Sequence, residues 1–275
     1  MKKAITNILS TLLVFITIGC SSDSNNSNDD GTSNSGKEKI TVLDVYTNID
    51  SFKDDSDSYE VKFAYDDQGK VTNHYMTYEA IRNNQLVVHS KSECSYFYDK
   101  NNQLIKIKEV NGEGKLTKNF VFEYDDKGQM IKSTDLDYDS KLFFTHNNKK
   151  QIIKATDIKN TTGFNYDDQG NLVNTSTIDN ANLVESYTYD NNPNPFRDMP
   201  VNLPLHFQKT TAFDIMYYYK PINNVTSYNQ NNSTKGNVQY EYNKNKYPKI
   251  SISTNNNGTV REKFSYKEIE ITKTK

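Results

Sequence analysis

The residue types that carry chemistry are few in this chain and poorly spaced for it. His74, His89, His146 and His206 are its four histidines, and none lies within the few residues of another that a shared metal on one element requires. Two acidic clusters, Asp54-Asp55-Ser56-Asp57 and Asp135-Leu136-Asp137-Tyr138-Asp139, have the oxygen density of a calcium site. Neither carries the Gly and the distal Glu of a calcium-binding loop, so both read as solvated turn and strand faces. The sequence contains no nucleophile elbow, phosphate loop or zinc-hydrolase motif. It therefore predicts a protein that is not an enzyme, with no catalytic residue, no metal and no cofactor. The formal net charge is −2 and no basic block is present that could follow a phosphate backbone, which excludes nucleic acid as a partner.

The two cysteines sit in different contexts. Lys2 and Lys3 precede an apolar run from Ile8 to Ile18 that is too short for an ordinary bilayer-spanning helix, and residues 1–19 read as a secretory signal. Thr17-Ile18-Gly19-Cys20 ends it and resembles a lipobox, which implies a lipid on Cys20 and a membrane as partner through that lipid. Residues 20–38 are rich in Ser, Asn and Asp and cannot offset the entropy of ordering, so they read as a tether. As a flexible coil, about 17 residues span roughly 23 Å. No Asp follows Cys20 directly, which points to the outer membrane. The early acidic and Ser run points to the cell surface, with the periplasmic face as the alternative. Cys94 is then the one remaining thiol, so no intrachain disulfide forms, and two residues before Tyr96 it reads as a small core residue.

The elements that must position everything else are written in a repeated stretch. Phe122-Glu123-Tyr124-Asp125-Asp126-Lys127-Gly128-Gln129-Met130 returns as Phe63-Ala64-Tyr65-Asp66-Asp67-Gln68-Gly69-Lys70-Val71 and as Phe164-Asn165-Tyr166-Asp167-Asp168-Gln169-Gly170-Asn171-Leu172, with looser copies at Tyr96, Phe144, Tyr187 and Tyr240. Aromatics two apart share one face of a strand, and the residue between them is polar, which is the signature of an antiparallel sheet with one wet face. The Asp accepts hydrogen bonds from its own turn, and Gly three residues on takes the left-handed conformation of a bulged hairpin. Asn102 replaces that Gly and tolerates the conformation. Lys150 also replaces it, which predicts a looser turn. Pro193 replaces it and cannot adopt a positive φ, which predicts a break in the meander. The 20 tyrosines suit half-buried sheet faces without any ligand.

This repeat resembles the tyrosine-aspartate (YD, or RHS-like) repeat of bacterial surface and toxin-shell proteins. Together with the Cys20 context, residues 40–272 resemble a family of Gram-negative envelope lipoproteins with a porin-like β fold. The resemblance implies an envelope address and a β architecture. A membrane pore does not follow from it. The strand over residues 115–125 places Lys118 among Leu116, Phe120, Phe122 and Tyr124, and Thr117, Asn119, Val121 and Glu123 opposite, so neither side is the unbroken apolar set that faces lipid.

From Pro193 to about residue 212 the pattern fails, since Pro193, Pro195, Pro200 and Pro204 exclude a regular central strand. The 53 residues from Tyr189 to Tyr242 amount to two periods, as if this excursion took the place of one repeat. Phe196, Met199, Leu203, Leu205 and Phe207 are too apolar for a freely solvated loop. They either plug the sheet as core or line a ligand cleft, in which case Phe196, Arg197 and Tyr217 are the candidate ligand-binding residues. The sequence thus predicts an all-β fold: an antiparallel up-and-down meander of about 14–17 strands, curved or barrel-like, over residues 39–275. It predicts a monomeric, anchored binding module whose partner is a glycan, a peptide or an envelope protein. A structural scaffold or adhesin is the alternative, and a hydrolase with an unrecognised site is third.

Overall fold

A sheet that is apolar on one side must hide that side against a second layer or by closing on itself. This chain closes. The computed structural model describes residues 37–52, 55–177, 180–199, 222–230, 234–255 and 258–272. Within them the strands run β1 (Lys37–Phe52), β2 (Asp55–Tyr65), β3 (Val71–Arg82), β4 (Gln85–Tyr98), β5 (Leu104–Asn111) and β6 (Leu116–Tyr124). They continue as β7 (Met130–Asp135), β8 (Ser140–His146), β9 (Ile152–Thr156), β10 (Thr161–Tyr166) and β11 (Leu172–Thr177). The last five are β12 (Asn180–Pro193), β13 (Asn223–Gln230), β14 (Thr234–Tyr242), β15 (Pro248–Asn255) and β16 (Gly258–Thr272). Each pairs antiparallel with its neighbours in sequence, and β16 pairs with β1, so the described strands form one closed sixteen-stranded barrel with meander topology.

The aromatic face of every repeat points inward. Phe63, Tyr96, Phe120, Phe122, Phe144, Phe164 and Phe264 belong to one core with Val61, Ile107, Leu142 and Leu172, each fully buried apolar side chain contributing about 1.5–3 kcal/mol. Lys118 shares this inner face, where its ammonium lies 3.0 Å from Glu109. Of the two sides of this strand, the one that carries Lys118 is therefore the inside of the barrel. Lys62, Lys108, Glu123, Lys154, Glu241 and Lys263 are exposed around the exterior, where a membrane barrel needs an apolar belt. Strands β7 to β11 have only 5 to 7 residues, short of the roughly 9–11 that cross a bilayer.

One rim carries the repeat turns. Asp125 N–H donates to Gln129 O at 2.9 Å and Gly128 N–H to Asp125 O at 3.1 Å. The Asp125 Oδ1 accepts from Lys127 N (3.0 Å) and Gln129 N (2.8 Å). Gly128 has φ 75°, and the same place is filled by Asn102 at 64° and Lys246 at 65°. A one-residue register shift accompanies each such turn, as at Glu123/Tyr124, Ala64/Tyr65 and Asn165/Tyr166. The turn with Lys150 is no looser than the others, contrary to expectation: Lys150 N donates to Asn147 O at 3.0 Å and Asn147 N to Gln151 O at 3.0 Å. The Asn147 side chain explains this, since its Oδ1 accepts from Lys149 N (2.9 Å) and Gln151 N (3.0 Å) and so holds Lys150 at φ 63°. A left-handed residue with a Cβ costs about 1–2 kcal/mol. Lys150→Gly is therefore expected to raise stability by about 1 kcal/mol, read as a higher urea midpoint. An unchanged midpoint would show that the turn is unstrained.

The other rim carries the return turns, such as Asn83-Asn84 between β3 and β4, where φ of 50° and 59° give the left-handed pair a two-residue hairpin loop needs. The wall is tall over β16 and β1 to β4, with strands of 11 to 16 residues, and short over β7 to β11.

Pro193 does not break the meander. Strand β12 continues through it and pairs directly with β13, with Tyr189 opposite Val225 and Pro193 opposite Asn223. β12 and β13 are therefore adjacent strands, with no further strand between them in the wall, and residues 200–221 lie outside the described residues.

Candidate functional site

The repeat turns are interlocked by tyrosine hydroxyls. Tyr98 donates to Val71 O (2.8 Å), Tyr124 to Leu104 O (2.8 Å), Tyr166 to Ile152 O (2.6 Å) and Tyr189 to Leu172 O (2.7 Å). Tyr65 to Leu43 O, Tyr240 to Val225 O and Tyr266 to Pro248 O continue the ring at 2.5, 2.9 and 2.7 Å. Apart from Leu43, each acceptor lies at or near the start of the second strand of the preceding hairpin. His146 takes the equivalent place in β8, and burial lowers its pKa. Burial likewise raises the Tyr65 and Tyr98 phenols and pushes Tyr124 up to about 12, so these hydroxyls remain donors throughout the physiological range. The tyrosine excess thus has a structural cause more specific than half-burial.

These hydroxyls act where the ladder between hairpins stops. Strands β9 and β10 pair only through Thr156/Thr161, Ala155/Thr162 and Lys154/Gly163 and diverge toward the repeat-turn rim. A slot of about 390 Å³ lies in the gap, lined by Gln151, Ile153, Phe164, Asn165 and Asp168 among others.

The excursion leaves the same rim through a buried polar clamp. Asp190 Oδ1 accepts from the backbone of Asn192 (2.9 Å) and of Asn224 (3.1 Å). Its carboxylate also receives the Asn224 amide (3.2 Å) and the Tyr242 hydroxyl. Asn223 N donates to Asn171 Oδ1 and Asn171 Nδ2 to Asn223 Oδ1, both at 3.0 Å, and Asn194 N donates to Ile222 O at 2.9 Å. The clamp was not legible as a site, because Asn and Asp are abundant across the whole chain and its two halves are 52 residues apart. The one local signal was Tyr189-Asp190, which keeps the repeat's residues where its turn is lost.

Just beyond the clamp, Phe196 and Met199 enter the barrel core at 4% exposure each. The Phe196 ring meets Tyr46 edge-on (5.2 Å between centroids, 84°) and Phe264 at 6.1 Å. Beside it the Tyr46 hydroxyl donates to Glu262 (2.6 Å), which also receives the Ser251 hydroxyl. Arg197 is exposed and pairs with its neighbour Asp198 at 3.1 Å. The structure therefore separates the two candidates: Phe196 lies among core rings and Arg197 at the surface. Tyr217, Leu203, Leu205, Phe207 and Cys20 lie outside the described residues.

The remaining chemical groups are held in structural pairings. His74 Nδ1 lies 2.9 Å from the Tyr96 hydroxyl, and Asp57 pairs with Arg82 at 2.8 Å. Cys94 is buried, and desolvation pushes its thiol well up, which opposes thiolate reactivity. Among the described residues, no group of three or more His, Cys, Asp or Glu side chains is arranged to hold a metal.

No protein-family model matches the sequence, and no curated protein matches it. Among solved structures, the Photorhabdus luminescens Tc holotoxin pore matches at 14% identity with a TM-score of 0.29, over 74% of this chain but 13% of that one, and carries no argument at that score. A porin-like protein from Bacteroides uniformis ATCC 8492 matches with a TM-score of 0.56 at 11% identity, over 82% of this chain and 98% of that one. At that identity the likeness is one of fold, and this chain shares the barrel fold of a porin-like protein.

Proposed function

We propose that this protein is a lipid-anchored envelope protein, held in the outer membrane through Cys20, that works as a non-enzymatic binding module. The observation that carries the reading is the division of labour in the barrel: an exterior dotted with charged side chains, among which Phe97, Ile105 and Phe143 are also exposed, and an interior of packed aromatics and polar groups. Such a barrel is a rigid, water-soluble support, which leaves recognition of a glycan, peptide or envelope protein to its rims and loops. The solved neighbour is described as porin-like. For this chain the short strands and charged outer wall support an anchored body rather than a conduit.

The chain enters β1 at Lys37 on the repeat-turn rim, where the Thr272 N–H also bonds Asp67 O at 2.8 Å. In cells labelled with radioactive palmitate, the full-length chain is expected to carry label and to sediment with outer membranes, and Cys20→Ala is expected to lose both. Label that persists in Cys20→Ala would refute the anchor.

A further inference from the structure

We infer that the first half of β4, residues 85–91, is a strand-addition site for an extended apolar peptide, an inference that rests on the binding reading above and names its partner class. The wall of the barrel has a step between β4 and β5. Strand β4 pairs with β3 from Gln85 to Ser95 but with β5 only from Ser92 to Tyr98. The run Gln85-Leu86-Val87-Val88-His89-Ser90-Lys91 therefore has no strand on its β5 side among the described residues. The β5–β6 turn closes the foot of the run, where a Cβ on Gly112 would stand 3.6 Å from Lys91 O. From there to Gln85 every residue is exposed.

What the run offers decides what fits it. In antiparallel pairing alternate residues turn both N–H and C=O to the same side, so about three or four residues of the run present main-chain donors and acceptors away from β3. An added strand uses all of them, and its own main chain supplies the affinity. Val88 lies opposite the buried Ala80 and Leu86 opposite Ile81. Ala80 and Ile81 point to opposite faces, so the added strand finds an apolar neighbour on each of its faces. Leu86, Val87 and Val88 are 58, 55 and 42% exposed, which favours apolar side chains on the peptide. Free edges are commonly guarded by Lys or Pro, and from Gln85 to Ser90 this one has neither. A second copy of the chain fits less well. The register shift between Ala80 and Ile81 leaves Val87 as a bulge, which bends and twists the edge. A flexible peptide follows that bend, whereas two bent edges do not lie flat together. The run also has only seven exposed residues, against roughly 20–30 a side in a stable protein pair.

The test titrates the full-length chain in detergent micelles with fluorescent heptapeptides that alternate Val with Thr, alongside a glycan array and sedimentation of the chain alone. Saturable peptide binding is expected. N-methylation of alternate peptide residues is expected to abolish binding in one of the two alternations and spare it in the other, because only one set of N–H groups faces the edge. Leu86→Lys combined with Val88→Lys is expected to weaken binding by about tenfold or more with an unchanged thermal melt. Ile158→Lys, at a 95% exposed position in another return turn, is expected to leave it intact. Peptide binding that survives the double substitution overturns the edge and leaves the binding reading standing. A concentration-dependent dimer that the double substitution dissolves, without peptide binding, makes a second copy the occupant and overturns the peptide. Saturable glycan binding without any peptide overturns the partner class and leaves the binding reading standing. Binding of neither overturns both.

Discussion

Phe196→Ala is expected to lower the stability of the barrel by about 3–5 kcal/mol, the usual cost of emptying a packed phenyl site. At roughly 2–4 °C per kcal/mol for a domain of this size, the thermal midpoint falls by about 6–20 °C. The size of the effect follows from the position of the ring. Phe196 is 4% exposed and held between Tyr46 and Phe264 at 5.2 and 6.1 Å. Its backbone is fixed by Asn194, whose Oδ1 accepts the Phe196 N–H at 2.8 Å. The residue is therefore tied to the barrel on both its main chain and its side chain, and the wall has little freedom to collapse onto the gap. Phe196→Leu should recover most of the loss, because it refills the volume without the ring. A melt unchanged by Phe196→Ala would show that the ring does not support the core, and would reopen its assignment to a ligand cleft.

Asp190→Ala is expected to be of similar size. The substitution strands the backbone N–H of Asn224 and one N–H of its amide, which keeps Asn192 O at 3.2 Å, and releases the Tyr242 hydroxyl; Asn224 is 1% exposed. Two fully buried donors left without an acceptor cost about 1–3 kcal/mol each, so the loss is about 2–6 kcal/mol in urea unfolding. Asp190→Asn keeps one acceptor oxygen and should lose less than Asp190→Ala. Equal losses from the two would show that the negative charge, rather than the count of acceptors, holds the clamp together.

The two effects also separate what was readable in advance from what was not. The apolar character of Phe196 and Met199 was visible in a Pro-rich stretch with no strand pattern, and it raised the choice between core and cleft. The clamp that delivers them into the core was invisible, since Asn171 and Asn223 become partners only after β11 and β13 are placed beside β12.

Local rules determined the rest. Alternation of aromatic and polar residues depends only on the two-residue period of a strand, and Asp-x-x-Gly only on hydrogen bonds and φ angles within five residues. Both are complete in the sequence, and they sufficed for an antiparallel meander, its inner face and a strand count of about 14–17 that includes the observed sixteen. Asn102 was correctly read by the same rules. Lys150 was misjudged because the substitution of Gly was weighed without the Asn147 side chain that offsets it. Closure belonged to the tertiary structure alone. The pairing of Lys37 with Thr272, the tyrosine hydroxyls that reach a carbonyl in the preceding hairpin, and the inward side of Lys118 all join residues on different hairpins. Their contacts form only once the twist and stagger of the whole sheet bring the first strand against the last.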